Sequence, residues 1–170
     1  MNRHLFLPSI IKTWYNQPMD YYVFMAEAIR EAKKAEKKGD VPVGAVAVQG
    51  DKIIGRGHNG KEAKNDPVSH AEIEALQEAA KVLGRWRLND VTLFVTMEPC
   101  PMCCGAILQA RVKTVVFGAW DIQWGACGSK LNLPGSDQFP HHPEIIGGIM
   151  EKECAALTEN FFRQRRKELL

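Results

Sequence analysis

The 170-residue sequence has no run approaching the roughly 18 consecutive apolar residues of a membrane span. Nothing in it repeats and nothing is low in complexity. Apolar residues at 45% and charged residues at 25% exclude a collagen-like or disordered chain. Neither sign of charge dominates, with 22 basic against 20 acidic residues. Arg3 and Lys12 supply that excess from the first 18 residues, which hold no acid, so the other 152 balance at 20 against 20. A body this neutral offers no broad basic face, and any surface for nucleic acid must be local. An export signal is missing too: the N-terminal apolar stretch is short, Pro8 interrupts it, and no small-residue cleavage site follows. Residues 1–18 read as a flexible extension, or as the product of an upstream start with Met19 the real beginning. Cysteines are few and odd in number, five, and three of them form a Cys100-x-x-Cys103-Cys104 cluster. Without an export signal this points to metal or catalysis rather than disulfides, and to the cytoplasm.

What is present reads as one domain. Tyr22, Met25, Ile29, Ala32 and Ala35 recur at helical spacing, and Gly39 ends that helix. Val41–Val48 is a valine-rich run too short for a core helix and reads as a buried strand. Gly50-Asp51 turns it into a returning strand over 52–57. Residues 58–68 read as a loop. A second helix spans 69–83, with Ile73, Leu76, Ala80 and Leu83 on one face. A third strand follows at 91–96, a short helix from Pro99 to about Arg111, and a fourth strand over 112–118. A long loop covers 119–143, a length that in compact domains is usually functional or disordered. A short strand over 144–150 and a closing helix over 151–168, with Cys154, Leu157 and Phe161 inward, complete the chain. The order α-β-β-α-β-α-β-(β)-α predicts an α/β fold of three layers, with helices on both faces of a central mixed sheet of about five strands.

Two segments carry chemistry: Ser69-His70-Ala71-Glu72 and Glu98-Pro99-Cys100-Pro101-Met102-Cys103. Each stands at the start of a predicted helix. One imidazole and two thiols suit Zn²⁺, and three protein ligands leave a fourth position for water. Helix N-termini favour thiolate, and Cys100 and Cys103 are one turn apart. Each part has a plainer reading. Ser69-x-x-Glu72 is also a capping box. A CxxC is also a redox pair, and Cys104 shares a helix face with Cys100 as well. Together, with Glu98 following His70 by 28 residues, the two segments form a pattern that chance rarely assembles.

The HxE…PCxxC pattern resembles the zinc-dependent nucleobase deaminases. VPVGAVAV (41–48), GHN (57–59), DPVSHAEI (66–73), WRL (86–88), TLFVTMEPCPMCCGAIL (92–108), VVFGAWD (115–121), GACGS (125–129) and ECAAL…FFRQRR (153–166) narrow it to the bacterial tRNA adenosine deaminase branch. The likeness covers residues 19–168 and implies a single deaminase domain over 19–170, of cytidine deaminase-like fold. It implies one zinc per chain on His70, Cys100 and Cys103, with Glu72 as proton shuttle and Asn59 as a substrate-binding residue. The implied reaction is hydrolytic deamination of adenosine to inosine at the wobble position of a tRNA anticodon loop, by zinc-activated water. The alternative is the same mechanism on a free nucleobase, nucleoside or nucleotide of guanine or cytosine type. The implied partners are tRNA and a second copy of the chain, with no membrane and no DNA. Met102, Ile107 and Leu108, among few charges, suit a helix buried on both sides in such a homodimer.

The sequence departs from the family's pattern at Trp120, Trp124, Cys104 and Pro140-His141-His142-Pro143. Trp120 reads equally as a packed aromatic or a base-stacking platform. His141 and His142 read as surface residues. Arg163, Arg165, Arg166 and Lys167 suit either phosphate contact or a solvated helix end.

Overall fold

The computed structural model describes residues 19–168. The expected extension over residues 1–18 lies outside the described residues. Helix α1 (Tyr21–Lys37) starts where Asp20 Oδ1 accepts the backbone N–H groups of Tyr22 at 3.0 Å and Val23 at 3.4 Å. It stops before Gly39, whose φ of 81° is left-handed. Its buried face carries Met25, Ala28, Glu31, Ala32 and Ala35. Tyr22, expected inward, is exposed, because the buried stripe drifts away from it within the first turn.

Strands β1 (Gly44–Gln49) and β2 (Lys52–His58) form the expected hairpin, with Gly50 at a φ of 62° in the turn. A one-turn helix, α2 (Lys61–Lys64), occupies part of the segment expected to be loop. Its cap comes from outside it. The buried Asp40 carboxylate accepts the N–H groups of Glu62 and Ala63 at 2.8 and 3.0 Å, so no local signal announces the turn. Then follow α3 (Ala71–Leu83), β3 (Val91–Met97), α4 (Pro101–Ala110), β4 (Thr114–Ala119), β5 (Glu144–Gly147) and α5 (Glu151–Glu168).

The five strands make one mixed sheet in the order β2-β1-β3-β4-β5. β1 is antiparallel to β2 and β3; β3, β4 and β5 are parallel. The two-residue period of a strand divides the core into two layers. Ala45, Ala47, Leu93, Val95, Val115 and Phe117 pack under α3 and α4, together with Ala126 and Cys127 of the long loop. Val46, Val48, Phe94 and Val116 pack under α1 and α5 with Met25, Ala28 and Cys154. In α5 the buried residues are Cys154 and Thr158, whereas Leu157 and Phe161 are half-buried.

The topology collects the chemistry at one edge. Because β1 runs against both its neighbours, β2, β3 and β4 all end on the same side of the sheet. Asn59 follows β2, Glu98 to Cys100 follow β3, and Asp121 follows β4. The carboxyl edge beside a change in strand direction is where open α/β sheets bind ligands.

Candidate active site

Strand β3 delivers Met97 to the sheet edge, and Cys100 stands at the N-cap of α4 with Pro101 behind it at the first helical position. His70 stands in the same way at the N-cap of α3. The predicted capping box is therefore not formed. The helix begins one residue later than Ser69, and the Ser69 hydroxyl donates to Glu74 Oε1 at 2.7 Å. Glu72 has no capping duty toward Ser69 and turns inward.

His70 Nδ1 lies 3.7 Å from Cys100 Sγ and 3.4 Å from Cys103 Sγ. The three ligand atoms all fall within 4.8 Å of one another, close enough to share one metal ion. Cys104 does not join them. Its buried Sγ lies 3.8 Å from Ala126 O and 4.0 Å from Cys127 Sγ, in the core layer under α4. A hydrogen bond from Cys103 draws the Cys100 thiol down to about 4, and the same bond, with burial, pushes the Cys103 thiol up. Glu72 is buried beside this group, and burial pushes its carboxyl up to about 7.

A cavity of about 560 Å³ opens onto these residues, within the size range of small-molecule sites. His70, Glu72 and Cys100 lie at its base. Val41, Val43, Met97 and Met102 give it apolar walls, and Asn59, Lys61, Asp121 and Trp124 also line it. Asn59 is buried; its backbone N–H donates to Val43 O at 2.9 Å and its Nδ2 to Val41 O at 3.2 Å, which orients the amide.

Glu98 was quoted with its motif but given no role by the sequence reading. Its carboxylate is buried and holds the loop after β4. Oε1 accepts the N–H groups of Cys127 at 2.9 Å and Ser129 at 3.0 Å, and Oε2 accepts that of Asp121 at 3.0 Å and the Ser129 hydroxyl. Its donors lie 23 to 31 residues downstream, so only its place beside the cysteines could have drawn attention to it.

The remaining departures separate cleanly. His141 and His142 bond the Val112 and Pro134 carbonyls at 2.7 and 2.8 Å, and fasten the long loop rather than the cavity. Trp120 packs edge-on against Phe117 with centroids 4.7 Å apart, while Trp124 stands in the cavity wall. Arg165 donates to Gly39 O at 2.9 Å and ties α5 to the end of α1. Arg163, Arg166 and Lys167 are exposed.

The model of the MafB19-like deaminase family matches residues 19–166. A tRNA-specific adenosine deaminase of Bacillus subtilis is 49% identical over 146 residues, covering 86% of this chain and 91% of the relative. A solved structure from a study of A-to-I editing by tRNA:A34 deaminases at the wobble position superposes with a TM-score of 0.77 at 37% identity, covering 79% of this chain and 98% of the other. The guanine deaminase of Bacillus subtilis superposes with a TM-score of 0.57 at 41% identity, over 60% of this chain and 66% of that one. A donor triad at the start of two helices, a buried carboxylate beside it and these likenesses agree: the chain belongs to the deaminases, in the family of the tRNA-specific adenosine deaminases.

Proposed function

We propose that the protein hydrolyses adenosine to inosine at the wobble position of a tRNA anticodon loop, with His70, Cys100 and Cys103 holding one zinc ion and Glu72 moving the protons. The observation that carries this reading is the buried Glu72 beside a three-donor group at the base of a cavity, in a chain of this family. One imidazole and two thiols are a donor set that zinc takes readily, and three protein donors leave room for water. Zinc bound there supplies a Lewis acid and an acidified water. Glu72, outside the donor set, accepts the proton of that water as its oxygen adds to C6 of adenine. It returns the proton to N1, and protonates the amino group that leaves as ammonia. One carboxylate serves as base and then acid, because the proton it gives is the proton it took. The apolar walls, Val41, Val43, Met97 and Met102, limit competing water around the purine. Asn59, with one amide N–H committed to Val41 O, presents the rest of its amide to the base or ribose.

The active form is a homodimer in the cytoplasm. Ile107 and Leu108 are consumed by the chain's own core, so they are not the second face expected of α4. What remains exposed is Met102, together with Trp86 at a groove lined by Ile73, Ala80, Ala106 and Ala110 between α3 and α4. That surface suits the second copy. Among the described residues no helix is long and apolar enough to cross a membrane.

Mass spectrometry of tRNA before and after incubation with the zinc-loaded protein tests the reaction. The expected product is inosine in place of the wobble adenosine. The likeness to guanine deaminase favours the free-base alternative, and release of ammonia from guanine or cytosine, with tRNA unchanged, replaces the proposal with it.

A further inference from the structure

Trp124 is 67% exposed and lines the cavity that holds His70, Glu72 and Cys100. A large aromatic surface left in water is a standing cost unless something covers it. Its backbone is tightly held. Asp121 Oδ1 accepts the N–H groups of Gln123 at 2.9 Å and Trp124 at 3.0 Å. Gly125 N–H donates to Asp121 O at 2.8 Å, and Ala126 N–H to Pro99 O at 2.9 Å, one residue from Cys100. The buried Glu98 carboxylate grips Asp121, Cys127 and Ser129 on either side. The backbone that carries the indole is thus tied to the same strand end that carries the cysteines.

We propose that the Trp124 indole is a stacking platform for a nucleobase adjacent to the target adenosine, and so a specificity-determining residue for RNA over free bases; this rests on the tRNA reading above. The target base must reach Glu72 at the base of the cavity. A ring two-thirds exposed therefore meets the next base along the strand. Unstacked loop bases are held in this way on aromatic faces. Trp120 is unsuited to the task. It is committed to Phe117, and a Cβ at Gly147 would come within 2.8 Å of its ring.

The test uses the zinc-loaded protein, an RNA stem-loop with adenosine at the target position, and the same stem-loop made abasic on one side of the target or the other. Trp124→Ala is expected to raise KM for the intact stem-loop about 5- to 150-fold, with kcat and zinc content unchanged. Trp124→Phe recovers most of the loss. An abasic neighbour on one side costs the unaltered enzyme the same factor and costs Trp124→Ala nothing further. An unaltered KM in Trp124→Ala, or equal sensitivity of both enzymes to the abasic sites, overturns the stacking role while leaving tRNA deamination standing. Altered sedimentation of Trp124→Ala assigns the indole to a contact between copies and overturns it as well. Failure of the unaltered enzyme to deaminate any stem-loop removes the tRNA reading and the platform together.

Discussion

Cys103 and Cys104 are adjacent thiols with opposite surroundings. One lies 3.4 Å from His70 Nδ1, the other 3.8 Å from Ala126 O in the core. Cys103→Ala is expected to purify without zinc and Cys104→Ala with one zinc per chain, measured by elemental analysis. The reverse result moves the ligand set to Cys100 and Cys104. Glu72 offers a second test at this scale. Because α3 is capped at His70 and the Ser69 hydroxyl is bound to Glu74, Glu72 is released from the cap. Glu72→Gln should therefore keep its zinc and its melting temperature while turnover on tRNA falls about 10²- to 10⁴-fold. Near-normal single-turnover rates would remove this carboxylate from the mechanism.

Helix α3 lies directly on β2, and two glycines allow it to. A Cβ at Gly57 would meet Ala75 N at 2.7 Å, and one at Gly55 would meet Ala79 N at 2.8 Å; both obstacles are backbone. The helix would have to lift, and overpacking against an immovable neighbour costs about 3 kcal/mol or more. Gly57 faces the first turns of α3, which start at His70 and include Glu72. Gly57→Ala is expected to lose that stability in urea and also to bind zinc more weakly in a chelator competition. Gly50→Ala is the control. Its φ of 62° carries strain of about 1 kcal/mol, but nothing lies within 4 Å of the added carbon. Zinc affinity should not change there, and an equal loss in both variants would show that the contact of α3 with β2 does not set the site.

At the scale of the whole molecule, charge and exposed apolar surface argue together. Beyond the first 18 residues the chain is neutral, and Arg165, one of the cationic cluster, is spent on Gly39. A single copy thus brings little basic surface to an RNA loop, and unstacking the target base costs a few kcal/mol. Two copies meeting across Trp86 and Met102 would bring the basic end of a second α5 into one assembly. Sedimentation at micromolar protein is expected to give twice 19.0 kDa. A monomer that deaminates tRNA at full rate sinks the dimer.

The order of elements was legible because burial leaves a period: two-residue alternation in β1, β3 and β4, and the three-to-four spacing of α1 and α3. The donor set was legible for a different reason. His70, Cys100 and Cys103 sit in short segments at helix starts, so local sequence placed each one near a chain reversal, and the resemblance named the set. What required tertiary structure was every interaction whose partner is distant in the chain. Asp40 caps α2, Glu98 holds the loop after β4, and Arg165 reaches Gly39, each through hydrogen bonds to residues that no local pattern connects. The same holds for choices between neighbours. Only the packing of α4 on the sheet sends Cys104 into the core, and only the fold of the long loop sets Trp120 against Phe117 and leaves Trp124 in the cavity wall. Periodicity and capping are encoded within a few residues, whereas a rotational choice on a helix or a side chain's distant partner exists only once the layers have met.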